Sequence, residues 1–80
     1  MLAEGRGMAQ SDVEAVRWYR KAADEGQAKA QFNLGCMFAQ GRGVAQSDVE
    51  AALWFRKAAD QDLAQAQHNL GIILQSGSGV

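Results

Sequence analysis

Residues 5–40 read GRGMAQSDVEAVRWYRKAADEGQAKAQFNLGCMFAQ, and residues 41–76 read GRGVAQSDVEAALWFRKAADQDLAQAQHNLGIILQS. Aligned without a gap, 22 of the 36 positions are identical. A period of this length marks a repeat array, in which each unit buries its apolar side against the next. It argues against a single fold closed around an active site. Residues 77–80, GSGV, begin a third copy, and Met1–Glu4 align with the end of a preceding one, MLAE against MFAQ at 37–40. The chain is therefore read as one repeat domain over 1–80. Its repeat units are 5–40 and 41–76, with partial flanking repeats at 1–4 and 77–80.

Each unit reads as two helices with short connections. Ser11 is followed three residues later by Glu14, and Ser47 by Glu50. That is the capping-box spacing, which satisfies two free backbone amides reciprocally. Ala15, Trp18, Tyr19, Ala22 and Ala23 then fall on one face of a helix, as do Ala51, Trp54, Phe55, Ala58 and Ala59. Gly26 supplies the left-handed residue that stops the first helix. Asp62 stands in its place in the second copy and tolerates that conformation less well, which makes it the weak joint.

The partner helix carries Ala30, Gln31, Leu34, Gly35 and Phe38, and in the second copy Ala66, Gln67, Leu70, Gly71 and Leu74. A glycine inside a helix costs roughly 1 kcal/mol relative to alanine. Its recurrence at 35 and 71 points to close approach by a neighbouring helix. Gly41, Gly43 and Val44 then end the helix, with Gly5, Gly7 and Met8 before them and Gly77, Gly79 and Val80 after. Four helices are expected, over 12–25, 28–40, 48–61 and 64–76. Short loops make consecutive helices antiparallel neighbours. The fold class is all-α, an α/α right-handed solenoid of antiparallel helix pairs with a continuous core.

Composition narrows the functional classes. The chain has 80 residues, 48% of them hydrophobic, and no proline. Net charge is −1 with the signs mixed, which argues against nucleic acid or an anionic membrane as partner. No apolar run approaches the roughly 18 residues of a membrane span, and no signal peptide is visible. The sole cysteine, Cys36, cannot form an intrachain disulfide. Localisation stays open.

Three stretches together carry a resemblance. They are A-x-A-Q-x-x-L-G at Ala28–Gly35 and Ala64–Gly71, G-x-G-V at Gly41–Val44, and A-x-x-W-[YF]-x-K-A-A at Ala15–Ala23 and Ala51–Ala59. This pattern resembles the Sel-one-like repeat, a relative of the tetratricopeptide repeat. A 36-residue period suits it better than the roughly 34 residues of the latter. The resemblance implies a non-catalytic adaptor, with a tetratricopeptide-like superhelix that binds a protein or peptide along a concave surface. It implies no cofactor. Phe38 matches the family's aromatic in one copy, whereas Leu2 and Leu74 stand at the equivalent places.

By the same analogy the concave face carries Lys29, Phe32, Asn33 and Cys36 from one unit, and Gln65, His68, Asn69 and Ile72 from the next. Three of these four pairs differ between copies, as expected where the scaffold is fixed and the binding surface is not. Asn33 and Asn69 are the same, and an amide that both donates and accepts could hold a peptide backbone. Helix capping or bridging is the structural alternative. His68 has no nucleophile or carboxylate in register, so it is read as a surface or groove side chain. No metal-ligand set accompanies it. Cys36 reads as a small, half-buried hydrophobe. Trp18 and Trp54 read as core. Gly41-Arg42-Gly43 lacks the lysine and the serine or threonine of a phosphate loop, so a helix-ending turn is the better reading. Arg17 becomes Leu53 in the second copy, a candidate packing or contact site.

The first and last helices show no polar capping face and are expected to expose apolar strips such as Trp18/Tyr19 and Leu70/Leu74. A short segment of a longer array that forms a homo-oligomer through open repeat ends is the expectation this generates. The alternative to the adaptor reading is accordingly a structural spacer or self-association segment.

Overall fold

The computed structural model describes residues 10–76. Four helices follow one another: α1 Gln10–Asp24, α2 Ala28–Gln40, α3 Asp48–Ala59 and α4 Ala64–Ser76. Among the described residues there are no strands. Each helix packs on the next, and the α2/α3 pair is the most extensively packed. The expected turns at Gly5–Met8 and Gly77–Val80, the segment Met1–Glu4 and the position of Leu2 lie outside the described residues.

Both short interhelical turns are the same Schellman motif. After α1, the amide of Gly26 donates to the Ala23 carbonyl at 2.9 Å and that of Gln27 to Ala22 at 3.1 Å. After α3, Asp62 donates to Ala59 at 2.9 Å and Leu63 to Ala58 at 3.3 Å. The motif needs a left-handed residue. Gly26 has φ 94°, and Asp62 has φ 67°, the only positive φ outside glycine among the described residues. Asp62 thus takes the left-handed conformation that Gly26 takes in the first copy. The longer turn after α2 ends the same way, with Gly41 at φ 68° and Arg42 donating to the Met37 carbonyl at 2.9 Å. Gly43 lies against α1, where a Cβ would run into the Asp12 carbonyl. Gly41-Arg42-Gly43 is therefore a helix-ending turn that also docks on α1.

The capping boxes are only partly made. Ser47 caps α3, its Oγ accepting from the Glu50 amide at 3.1 Å. Its own N–H goes instead to the Phe38 carbonyl at 2.9 Å, tying the loop to the end of α2. In the first copy α1 already begins at Gln10, so Ser11 sits inside the first turn and not ahead of it.

The motif glutamine staples each hairpin. Gln31 is buried, and its Nε2 donates to the Ala23 carbonyl at 3.2 Å. Gln67, one period on, does the same to Ala59 at 3.3 Å. Gln61 then links the two units, donating to the Gly26 carbonyl at 2.8 Å and to Gln31 Oε1 at 3.1 Å.

Equivalent residues do not share a fate. Gly35 is where α3 comes closest: a Cβ built there would lie 2.7 Å from Phe55 Cε1. Around Gly71 nothing lies within 4 Å. The close-approach role expected for both glycines is thus realised in the first copy only. Trp54 is 8% exposed but Trp18 is 69% exposed, which corrects the reading of both as core. Phe38 is buried, whereas its counterpart Leu74 is exposed. Of the expected α4 face, only Ala66 is buried; Leu70 is half-buried, and Gln67 and Gly71 are exposed. Val16, Met37, Ala52 and Ile73 belong to the core although the expected faces omitted them.

A methyl group at the two glycines should have opposite effects. Gly35→Ala forces the methyl into the Phe55 ring and should lower stability by about 1–3 kcal/mol. Gly71→Ala, in open space, should raise it by up to about 1 kcal/mol through helix propensity. Urea midpoints of the two variants check this. By the same measurement Asp62→Gly should stabilise by about 0.5–1 kcal/mol, because it removes a side chain from the left-handed region.

Candidate functional site

The α2 residues Lys29, Phe32, Asn33 and Cys36 recur at helical spacing, and so do Gln65, His68, Asn69 and Ile72 on α4. Residues spaced by three and four lie on one side of a helix, so each set forms a stripe. Lys29, Gln65 and His68 are exposed, as is Ile72 at 53%; Asn33, Cys36 and Asn69 are half-buried. Phe32 is partly withdrawn from the surface, because its ring packs on Phe55 with centroids 5.7 Å apart and planes tilted by 43°.

The two stripes meet at one place. A cleft of about 240 Å³ opens between α2 and α4, lined by Cys36, Ala39, Gln40, Asn69, Ile72 and Ile73, with buried Phe55 of α3 behind them. It brings together three of the expected residues, Cys36, Asn69 and Ile72. Lys29, Phe32, Asn33, Gln65 and His68 do not line it. Ala39 and Gln40 lie three and four residues beyond Cys36, so carrying the stripe one turn further would have found them. Ile73 and Phe55 carry no such signal, since both belong to core-facing positions.

The cleft is mostly apolar, with the amides of Gln40 and Asn69 at its wall. Burial pushes the Cys36 thiol up from its ordinary value, which keeps it neutral and poorly nucleophilic near neutral pH. Among the described residues no group of three His, Cys, Asp or Glu is placed to hold a metal ion. The charged features lie elsewhere. Arg42 pairs with Asp12 through Nη2–Oδ1 at 3.0 Å and Nε–Oδ2 at 3.4 Å, linking the loop after α2 to α1. The hydrogen bond to Asp12, then its charge, holds the guanidinium even more firmly protonated. Arg20 lies 5.9 Å from the Phe38 ring centre and Lys57 4.8 Å from that of Trp54, covering those rings with aliphatic stem and charge. Leu53, where the first copy has Arg17, is 50% exposed.

Stacked antiparallel helix pairs with a 36-residue period define an α/α solenoid repeat protein. The Sel1 repeat model matches residues 1–27, 28–63 and 64–80, and the chain belongs to the Sel1 repeat family. The family's own phase places one whole repeat, α2 with α3, at 28–63. The units 5–40 and 41–76 cut the same period at another point. The chain is similar to a Sel1 repeat protein from Oxalobacter formigenes, with 46% identity and a TM-score of 0.82 over 85% of this chain and 28% of that one. It is similar also to c5321, a protective antigen present in uropathogenic Escherichia coli strains displaying an SLR fold. There the identity is 51% and the TM-score 0.83, over 85% of this chain and 15% of that one. The chain thus spans under a third of the length of either structure. No curated protein matches it closely. Sel1 repeats are helical modules that typically mediate protein–protein interactions and are generally scaffolds rather than catalysts. Among the described residues, no helix is long and apolar enough to cross a membrane.

The state of Cys36 has a direct readout. Its reaction with a disulfide reagent such as Ellman's should be slower than that of free cysteine at neutral pH. The rate should rise at higher pH than the free thiol requires, because the folded protein favours the neutral form. A rate equal to that of the fully denatured chain would contradict the burial.

Proposed function

We propose that this chain is a non-catalytic protein–protein interaction module, and that the surface between α2 and α4 takes an extended peptide or a loop of a partner protein. The observation that carries the reading is the cleft at Cys36, Asn69 and Ile72. At about 240 Å³ it is smaller than the roughly 300–1,000 Å³ of small-molecule sites, and it suits a single apolar side chain. Asn69 at its wall offers a donor and an acceptor for the peptide backbone beside that side chain. Asn33, one period earlier, would serve the adjoining stretch of an extended ligand. Lys29, Phe32, Gln65 and His68 flank the track and differ between copies in type, which lets the same scaffold present different contacts along it.

A peptide selected by display against the folded chain tests this. Binding should be saturable by calorimetry, and Ile72→Glu should weaken it at least tenfold, which is about 1.4 kcal/mol. Asn69→Ala should weaken it similarly, and Asn33→Ala less. Ile72 is half exposed, so the melting temperature should barely move. Unchanged affinity in both Ile72→Glu and Asn69→Ala would sink the assignment of the cleft.

A further inference from the structure

The charges of this chain are sorted by helix. It holds eight Lys and Arg and nine Asp and Glu. Of these, Lys29 alone stands on α2, AKAQFNLGCMFAQ, and α4, AQAQHNLGIILQS, carries none. The described carboxylates lie on α1, on α3 and in the turns after them. Helices α2 and α4 run parallel, each being antiparallel to the α3 that joins them, and the cleft opens between the two. A segment laid along them therefore meets apolar groups, amides, one imidazole and one cation, and no carboxylate of either helix.

Lys29 and Cys36 are seven residues apart, two turns of α2, so they lie on one line along the helix. Lys29 is exposed and Cys36 half-buried; at the same places in α4, Gln65 and Ile72 are exposed. Helix α2 has α4 beside it on one flank, and α4 has α2 beside it on the opposite flank. The line is thus open with a neighbouring helix on either flank, which makes its exposure a property of the surface they share. Among the described residues Lys29 makes no ion pair, whereas Arg42 is tied to Asp12.

We propose that the segment taken by the cleft carries one Asp or Glu three residues from its apolar anchor, with that carboxylate against Lys29. This rests on the reading of the cleft as a site for an apolar side chain, and it adds the chemistry of the partner. Lys29 stands about 10 Å along the axis from Cys36, at about 1.5 Å per residue. A segment in the polyproline II conformation rises about 3.1 Å per residue with three residues per turn. Its side chains i and i+3 therefore return to the same side after about 9 Å, which matches the span. An exposed pair of this kind adds a few-fold to affinity and is screened by salt. Its larger effect is on choice, because a Lys or Arg in that place meets like charge with no carboxylate on either helix to offset it. Asp24, Glu25, Asp60 and Asp62 stand at the end of the molecule where α2 and α4 begin. A run of acids extending past Lys29 would approach them and be repelled, so the surface suits one carboxylate and not an acidic tract.

A random peptide library displayed between two fixed flanks, so that neither peptide end is free, tests this on the full chain. Peptides selected by the wild type should share a large apolar residue with a single Asp or Glu three residues from it. Selection with Lys29→Gln, which places there what α4 carries at Gln65, should keep the apolar residue and lose the preference for acid. Selection with Lys29→Glu should turn that preference to Lys or Arg. Lys29 is exposed, so both variants should keep the circular dichroism and melting temperature of the wild type. Changing the acid of one selected peptide to its amide should weaken binding a few-fold to the wild type and not at all to Lys29→Gln. Selected peptides that share the apolar residue but no acid at that spacing overturn the proposal and leave the reading of the cleft standing. So does a preference for acid that survives in Lys29→Gln. Peptides with no shared apolar residue, or an apolar preference unchanged in Ile72→Glu, overturn the reading of the cleft and this proposal with it.

Discussion

The ring of Phe55 resting on the backbone at Gly35 is the contact on which the rest of the architecture depends. A Cβ at that position would lie 2.7 Å from the ring, closer than packed carbons approach. Leaving it out costs helix propensity, roughly 1 kcal/mol. Burying the phenyl ring returns roughly 1.5–3 kcal/mol. The exchange favours close packing, and it fixes the spacing of α2 and α3. Phe32 then packs on the same ring, and Phe55 becomes the back of the cleft between α2 and α4. Core and candidate binding surface therefore share one side chain, so the cleft is held rigid by the packing that holds the repeat together.

A second, polar regularity runs through the same structure. The motif glutamine reaches the carbonyl three residues before the left-handed residue of the preceding turn, Gln31 to Ala23 and Gln67 to Ala59. The two hairpin turns share one pattern of backbone hydrogen bonds although one uses glycine and the other aspartate. Backbone hydrogen bonds set that geometry, and the residue must follow. Cys36 and Ile72, which line the cleft, make no such hydrogen bond across the hairpin, and they differ between the copies where Gln31 and Gln67 are the same. A scaffold that fixes its joints and varies its surface is what a binding module requires.

The four helices, their order and most of their bounds were legible from capping residues, apolar spacing and glycines, because those signals act within a few residues of each other; α1 runs Gln10–Asp24 in place of 12–25, and α3 stops at Ala59 in place of 61. The stripes expected to line a groove are stripes, since helical spacing alone decides that. The cleft itself was not legible beyond Cys36, Asn69 and Ile72. Its floor comes from Phe55 on a third helix, and its position from how α4 sits against α2. Ser47 shows the same divide on a smaller scale. Its side chain caps α3 as the spacing dictates, but its N–H bonds to Phe38, a residue from the preceding helix, in place of Glu50.

By itself the sequence determined the period, the helices and the left-handed joints, because hydrogen bonding and capping are local and two near-identical segments fold locally alike. Only the tertiary structure decided which copy of each residue is buried. Trp18 and Trp54 sit at the same place in the repeat, as do Gly35 and Gly71, yet one of each pair is packed and the other open. The reason is that burial belongs to the neighbour and not to the residue. A helix in a solenoid is covered only where another helix lies beside it, and in this chain that is so between α2 and α3 and not on the outer faces of α1 and α4.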